Sequence, residues 1–545
     1  MCRAMSEEFL GDDLIQDLSR ITPPDEGPEM IIGFVSPVGV PLGDIEYELE
    51  QALDTRGYST ETISLSDIIC EYHPEISPGS ASERPEDERI RKLQEAGNNL
   101  RERSGRNDAL AILACMEIRE LREGKSGHNL RQSSQTAYLL RSLKTPKEVE
   151  TLRRIYGDGF ILVSAYSPPN IRQEELAAEI TEDELGIKRY EPGENEEIDE
   201  RARSIIEIDK FEENESHGQN VRDTFPLGDI FLDASQDNLD EQIDRAVDVL
   251  FGDPFRTPTI EEQSMYIAVA ARWRSAALGR QVGAVLTDED GNLISVGCNE
   301  VPRAGGGLYW PEENEDQDLR DFQLGRNLSK EKRVKTVAEI VRRFNELGAM
   351  DPEDWGISEA ALQNPNSEEL QPLLDDLDGT RVSSLIEFYR ETHAEMEAIL
   401  SAARRGSSVK DAALYSTTFP CHECTRHIVA AGIERVVYIE PYPKSLGPEL
   451  HGDSVEVRGR SPSHEIWKSK GLPSEEKVKF EPFVGVGPRI FEQVFRGRER
   501  KDGHGDPVDW PHENPTPVFA VDNPGFWINE ILEIAELHAG SDGFN

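Results

Sequence analysis

Two short segments in the C-terminal half of the chain decide its interpretation. Residues 392–399 read THAEMEAI, and residues 418–424 read TFPCHEC. The first segment offers the imidazole of His393 and the second offers the thiols of Cys421 and Cys424, and zinc favours this set of donors. Three protein ligands leave the fourth tetrahedral position open, as in catalytic zinc sites. The two segments therefore predict a catalytic zinc site.

The spacing within each segment predicts how the side chains converge. Residues 412–419 have the pattern of a strand, and a helix starting at Pro420 would place both cysteines on its first turn, where the positive end of the helix favours thiolates. Positions two apart in a helix point to nearly opposite sides, so His393 and Glu395 can share a cavity only where a helix is just beginning. We expect Glu395 to bind no metal and to act as the catalytic general acid and base.

Each half of this pattern also occurs in unrelated kinds of site. A CxxC pair alone is found in redox centres and in structural zinc sites, and His422 or His427 could supply the fourth ligand of a structural site. An HxE triplet alone arises often by chance. The two halves occur here in order, with a proline before the first cysteine, and this combination favours the catalytic site.

HxE followed by PCxxC is the signature of zinc-dependent nucleobase deaminases. Together with it, residues 280–284 (RQVGA) and 297–302 (GCNEVP) make the chain resemble the deoxycytidylate deaminase family. The resemblance implies that Asn299 contacts the sugar of the substrate. The chain departs from the family where Glu300 replaces a glycine, and its segment 312–380 is longer than in a minimal member.

From about residue 30 to residue 500 the chain is similar to one subgroup, the antiphage dCTP/dCMP deaminases. The similarity is carried by residues 299–307 (NEVPRAGGG), 417–421 (TTFPC) and 439–445 (IEPYPKS). It implies an α/β fold in which a P-loop-kinase-like nucleotide-binding domain is followed by a cytidine-deaminase-like three-layer α/β/α domain.

The expected division of the chain has four parts. Residues 1–29 would form a flexible lead-in, and residues 30–252 the P-loop-kinase-like nucleotide-binding or regulatory domain. The zinc-dependent deaminase domain would cover residues 255–496, and residues 497–545 would form a C-terminal extension. Within the first domain, the charge-rich composition of residues 77–107 predicts an exposed insertion.

The resemblance also implies an activity and its partners. It implies Zn²⁺-dependent deamination of free deoxycytidine nucleotides, dCTP and/or dCMP, to deoxyuridine nucleotides, with depletion of dCTP as an antiviral outcome. It further implies a homo-oligomer, and a regulatory RNA or a phage-derived trigger would control it. Two alternatives stay open: a housekeeping dCMP deaminase that supplies dUMP for thymidylate synthesis, and a nucleotide sensor that acts through a partner.

Basic and aromatic side chains near the motifs are candidates for binding the nucleotide. Arg303, Lys444 and Arg489 could contact its phosphates, and the alternative for each is a solvated surface charge. Tyr442 could stack on the base or pack the end of a strand. With Asn299, these residues are the predicted substrate site.

The N-terminal region has the pattern that opens a nucleotide-binding α/β domain. A buried strand over 30–35 precedes a glycine-containing loop, which is followed by an amphipathic helix and a second strand. Gly33, Ser36 and Gly39 are therefore candidates for binding a nucleotide. The loop lacks the lysine and the hydroxyl residue of GxxxxGK[ST], so we expect a regulatory or a structural role and no phosphoryl transfer.

Composition limits the remaining possibilities. The chain has 545 residues, with 59 basic and 106 acidic side chains and a net charge of −47. Such a charge disfavours nucleic acid as the substrate, and its scattered distribution suggests adaptation to high salt. Six cysteines, no apolar leader and no membrane-length apolar run predict a cytoplasmic protein that contacts no membrane.

Overall fold

The structure is a computed structural model, and it describes most of the chain. The described residues are 27–73, 86–126, 132–186, 190, 193–211, 217–312, 317–349, 351–364, 367–377, 380, 388–440, 445–460, 466–467, 473, 476–510, 515–519, 521 and 525–540. The chain divides into two compact units, the first formed by Met1–Tyr266 with Val437–Asn545 and the second by Ile267–Val436.

The α-helices of the described residues are numbered along the chain. They are α1 (Leu42–Asp54), α2 (Leu65–Tyr72), α3 (Glu86–Ser104), α4 (Ala109–Ser126), α5 (Pro146–Tyr156), α6 (Pro169–Leu185), α7 (Glu196–Phe211), α8 (Val221–Thr224), α9 (Leu239–Leu250), α10 (Ile260–Arg272), α11 (Asp321–Leu324), α12 (Leu328–Glu346), α13 (Gln371–Asp376), α14 (Ala394–Arg405), α15 (His422–Ala431), α16 (Gly447–Leu450), α17 (Phe491–Phe495) and α18 (Phe526–Gly540). Among the described residues, no helix combines the length and the apolar character needed to cross a membrane.

The strands are numbered in the same way. They are β1 (Met30–Val35), β2 (Ser59–Ser64), β3 (Thr136–Leu143), β4 (Phe160–Tyr166), β5 (Ile230–Asp233), β6 (Gly283–Thr287), β7 (Leu293–Cys298), β8 (Ala413–Ser416), β9 (Arg435–Tyr438), β10 (Val455–Val457), β11 (Val478–Pro482) and β12 (Gly485–Val486).

The first unit is built on a largely parallel sheet with the strand order β12-β5-β4-β1-β3-β2. Strands β1 to β5 pair in parallel, and β12 pairs antiparallel with β5. Alternate residues of β1 enter different cores: Ile31 packs with residues of α4 and α5, whereas Ile32 packs with residues of α1 and α9. Because both faces are covered by helices, β1 is apolar along most of its length, as expected for a central parallel strand.

The last helix belongs to the core of the first unit. Trp527 of α18 is buried there, and Glu530 accepts hydrogen bonds from Arg122 and from the hydroxyl of Tyr156. Arg122 also donates to Glu29, which precedes β1, so one buried guanidinium joins both ends of the chain's first unit. Breaking a buried ion pair of this kind costs about 3–5 kcal/mol, because it leaves an uncompensated charge.

The second unit contains an antiparallel sheet and the helices packed on it. Strand β6 pairs antiparallel with β7 and with β8. Helix α14 lies against β7, where Ser295 Oγ donates to the carbonyl oxygen of Ala398 at 2.7 Å. Gly297 permits this close approach, because a Cβ there would lie 2.1 Å from the carbonyl oxygen of Ala394.

Most predicted strands are confirmed, and one helical region differs from its prediction. The predicted strand over 30–35 corresponds to β1, and the one predicted over 412–419 corresponds to the shorter β8. The prediction of an exposed insertion over 77–107 is wrong for α3. Leu100 of this helix is buried, and Arg101 pairs with the buried Glu148 at 3.0 Å. The prediction failed because the segment is rich in charge although α3 is a helix with one side facing the core.

Candidate active site

The imidazole of His393 and the carboxylate of Glu395 are positioned by the start of α14. His393 is the N-cap residue, with an extended backbone at φ −67° and ψ 155°. Glu395 follows in the first turn and is only 3% exposed. The non-helical backbone at His393 is what allows two side chains two positions apart to reach one cavity, as the sequence indicated.

The two thiols are positioned by the start of α15. Cys421 is the N-cap residue, with φ −68° and ψ 171°, and Cys424 lies in the first turn and is fully buried. The helix begins at His422, two residues later than the predicted start at Pro420. The thiols still lie at the end of the helix that carries the positive partial charge, and this favours thiolates.

The three predicted ligand residues lie within one cluster. Cys421 Sγ and Cys424 Sγ are each 3.3 Å from His393 Nδ1, and the three donor atoms all lie within 4.8 Å of one another. Donors of a tetrahedral zinc site are about 3.6 Å apart, given Zn–S and Zn–N bonds of about 2.3 and 2.0 Å. The spacing and the chemistry of the donors therefore fit zinc.

The histidines that could complete a structural site have other partners. His427 Nδ1 lies 2.6 Å from the carbonyl oxygen of Glu423, and His422 lies beside the carboxylate of the same residue. Among the described residues, the cluster of His393, Cys421 and Cys424 includes no fourth such donor. This arrangement favours a three-ligand site with one open position, which is typical of catalytic zinc.

The polar groups of the cluster interact strongly. Side-chain hydrogen bonding with Cys424 and with His393 lowers the pKa of Cys421 to about 4. The bond to Cys421 in turn raises the pKa of His393 to about 9. Burial raises the pKa of the Glu395 carboxyl, and its Oε2 accepts from Cys424 Sγ at 3.4 Å. Glu395 is therefore in direct contact with the ligand cluster.

Glu300 supports the segment that leads to His393. Glu300 and Thr392 exchange two backbone hydrogen bonds of 3.2 and 3.0 Å. The carboxylate of Glu300 is buried, and it accepts from the backbone N–H of Ala276 at 2.8 Å. Glu300 thus fixes the strand-like segment that leads into α14. The sequence did not predict this role.

The predicted substrate residues have different environments. Asn299 Oδ1 accepts from the N–H of Val282 at 2.7 Å and its Nδ2 donates to the carbonyl of Arg280 at 2.8 Å, so this amide shapes the neighbouring backbone. Arg303 is exposed in the turn that continues to Gly306. Two further predicted residues, Tyr442 and Lys444, lie outside the described residues. Arg489 is paired with the buried Asp229 in the first unit.

Two glycines of the N-terminal candidate site have packing roles. A Cβ at Gly33 would lie 2.7 Å from a methyl carbon of Leu143, and one at Gly39 would lie 2.6 Å from the carbonyl oxygen of Arg172. Gly39 also has φ +79°, a conformation that favours glycine. Both positions therefore need glycine for the fold.

The loop that contains Ser36 is contacted by two charged side chains of the protein. The N–H of Val38 donates to Asp209 Oδ2 at 3.1 Å, and Lys144 Nζ donates to the carbonyl of Ser36 at 3.0 Å. The carboxylate of Asp209 therefore accepts a backbone hydrogen bond of the kind that a bound phosphate accepts in a phosphate-binding loop.

Comparison with known proteins relates part of this chain to one family. Residues 258–440 match the cytidine and deoxycytidylate deaminase zinc-binding region. A 55-residue segment is 49% identical to the deoxycytidylate deaminase of Enterobacteria phage T2, covering 10% of this chain and 29% of the phage protein. A 53-residue segment is 43% identical to ComE operon protein 2 of Bacillus subtilis (strain 168), covering 10% of this chain and 28% of that protein. The chain thus spans less than a third of the length of these relatives.

Two solved structures are also similar in part. The dCMP deaminase of cyanophage S-TIM5 in complex with dCMP and dUMP is 18% identical, with a TM-score of 0.21, over 42% of this chain and 98% of that chain. Its apo form is 16% identical, with a TM-score of 0.19, over 42% and 99%. The match over residues 258–440 contains the whole ligand cluster, so this region of the chain is similar to the zinc-binding region of cytidine and deoxycytidylate deaminases.

Proposed function

We propose that the protein is a zinc-dependent hydrolase that deaminates free deoxycytidine nucleotides, dCMP and/or dCTP, to deoxyuridine nucleotides. The observation that carries the proposal is the buried contact between Glu395 and a His393–Cys421–Cys424 donor set, inside the region that matches the deaminase family. In this proposal those three residues hold Zn²⁺, and the deaminase domain covers residues 255–496.

The proposed chemistry needs one proton carrier. Bound zinc supplies a Lewis acid that makes water a nucleophile near neutral pH. Glu395 takes one proton from the water that attacks C4 of cytosine and delivers it to N3 of the ring. It then moves the second proton, from the new hydroxyl on C4, to the amine, so that C4 becomes a carbonyl and ammonia leaves. Its burial excludes bulk water from this transfer, and its position beside Cys424 keeps the carboxylate at the site.

The proposed substrate class is supported by relatives and by charge. The phage T2 relative is a deoxycytidylate deaminase. A net charge of −47 opposes binding of a polynucleotide, whose many phosphates would each be repelled. A free nucleotide presents only its own few phosphates, which a small basic surface can bind.

The proposed biological role is antiviral depletion of dCTP in the cytoplasm. It is supported by the resemblance to antiphage deaminases and by the size of the first unit, which a minimal supply enzyme would not need. In this proposal the P-loop-kinase-like region over residues 30–252 is regulatory, and the enzyme is a homo-oligomer that responds to an RNA or a phage-derived trigger. A Glu395→Ala variant separates this role from that of a sensor, because a sensor would keep its biological effect.

The test is ammonia release by purified, zinc-loaded protein in high-salt buffer. Deoxycytidine, dCMP, dCTP, CTP and an adenosine-containing RNA are offered separately. Turnover of dCMP or dCTP, with none of the RNA, supports the proposal and ranks the two nucleotides. Zinc-loaded protein that releases ammonia from the RNA alone would refute it.

A further inference from the structure

Helix α12 reverses the charge balance of the chain. Acidic residues outnumber basic ones by 106 to 59 overall, but α12 carries six basic and three acidic residues. Four of the basic residues lie in its first two turns: Lys330, Lys332, Arg333 and Lys335. The acidic residue in those turns, Glu331, is paired with Arg326 at 2.7 Å. The beginning of α12 is therefore a net positive surface in a strongly acidic protein.

This surface contacts the segment that leads into the metal site. Ser329 Oγ, in the first turn of α12, donates to the carbonyl oxygen of Phe388 at 2.8 Å. One turn later, the guanidinium carbon of Arg333 lies 6.0 Å from the centre of the Tyr389 ring. That ring meets the imidazole of His393 edge-on, with 6.4 Å between ring centres. The two ring contacts in series place the Arg333 guanidinium no farther than about 12 Å from the centre of the His393 ring.

A nucleotide bound for deamination places its phosphate at some distance from the reacting amine. The amine must lie at the ligand cluster, so the sugar and the 5′-phosphate extend away from it. Carboxylates at the cluster, among them Glu395, repel a phosphate, and a cation at the far end of the substrate offsets that repulsion. Arginine suits this role because its planar fork of N–H donors can bond two phosphate oxygens at once.

We propose that Arg333 binds the 5′-phosphate of the substrate and makes the site selective for nucleotides over nucleosides. The inference rests on the proposed function, because it assumes that the amine of the base lies at the His393 cluster. Tyr389, which is 43% exposed, stands between Arg333 and His393 and forms the wall along which the sugar lies.

The test is a comparison of three variants on substrates with and without a phosphate. Steady-state kcat and KM are measured for deoxycytidine and dCMP with wild-type protein, Arg333→Ala, Arg333→Lys and Arg343→Ala. Arg343 is the matched control, since it lies on the same helix and is paired with Glu346 at 2.7 Å. We expect Arg333→Ala to raise KM for dCMP by about 10- to 100-fold and to leave deoxycytidine unchanged. Arg333→Lys should recover part of the loss, and Arg343→Ala should behave as wild type.

Two results would overturn the assignment: an unchanged KM for dCMP in Arg333→Ala, or an equal loss on deoxycytidine and dCMP. If the wild-type protein deaminates neither compound, the proposed function fails. The binding of dCMP to Arg333→Ala and to Arg343→Ala, measured by equilibrium dialysis, then tests the phosphate contact of Arg333 separately. Weaker dCMP binding by Arg333→Ala than by Arg343→Ala would support the phosphate contact. Equal binding by the two variants would overturn it.

Discussion

Replacement of Gly297 by alanine should move the helix that carries His393 and Glu395. A Cβ at this position would lie 2.1 Å from the carbonyl oxygen of Ala394 and 2.5 Å from the backbone nitrogen of Ala398, whereas ordinary contact begins near 3.4 Å. Both atoms are backbone, so the first turn of α14 must shift by roughly 1 Å relative to β7 to relieve the overlap. Overpacking of this kind costs about 1–3 kcal/mol of stability.

The displacement should affect the rate more than the stability. A misplacement of roughly 1 Å at a catalytic group lowers kcat by about 10²-fold. The assay is ammonia release from dCMP, with zinc content and urea unfolding measured on the same sample. Gly33→Ala is the matched control, because its Cβ would meet the side chain of Leu143 in the first unit and should cost stability without slowing the folded enzyme. A Gly297→Ala protein with wild-type kcat would show that the overlap does not displace the catalytic groups.

Three further predictions concern pH, a buried carboxylate and the metal. Burial raises the pKa of the Asp108 carboxyl, but hydrogen bonds from Arg106 and Thr151 outweigh burial and hold this pKa below its usual value. The stability that the ionised carboxylate contributes is therefore present above about pH 4 and is lost as the pH falls. The difference in the free energy of unfolding in urea between wild type and Asp108→Asn should shrink below that pH, and a difference that stays constant with pH would contradict this. Asp209→Ala should lower the free energy of unfolding by about 1–3 kcal/mol, because the N–H of Val38 loses its acceptor; unchanged stability would contradict that contact. Dialysis against a chelator should abolish dCMP turnover, and Zn²⁺ should restore it where Mg²⁺ does not; full activity after chelation would exclude a metal enzyme.

The ligand cluster could be predicted because its geometry is local. Each half is set by a few residues at a helix start, and the sequence carries both the ligands and the start signal in 392–399 and 418–424. The strand pattern of β1 could be predicted for the same reason, since a continuous apolar run marks a central parallel strand.

The remaining features depend on residues that are distant in sequence. The role of Leu100 in α3 could not be predicted, because the core it enters is completed by other elements. The contact of Asp209 with Val38 joins positions 171 residues apart, so no local sequence pattern predicts it. The contact between Arg333 and Tyr389 likewise joins residues that are distant in sequence.

The role of Glu395 is tested most sharply by the zinc content and dCMP turnover of Glu395→Ala beside wild-type protein. We expect one zinc per chain in both proteins and a loss of about 10²–10⁴-fold or more in kcat for the variant, because Glu395 moves protons and does not hold the metal. Turnover by Glu395→Ala at the wild-type rate, or loss of its zinc, would contradict the role assigned to this carboxylate.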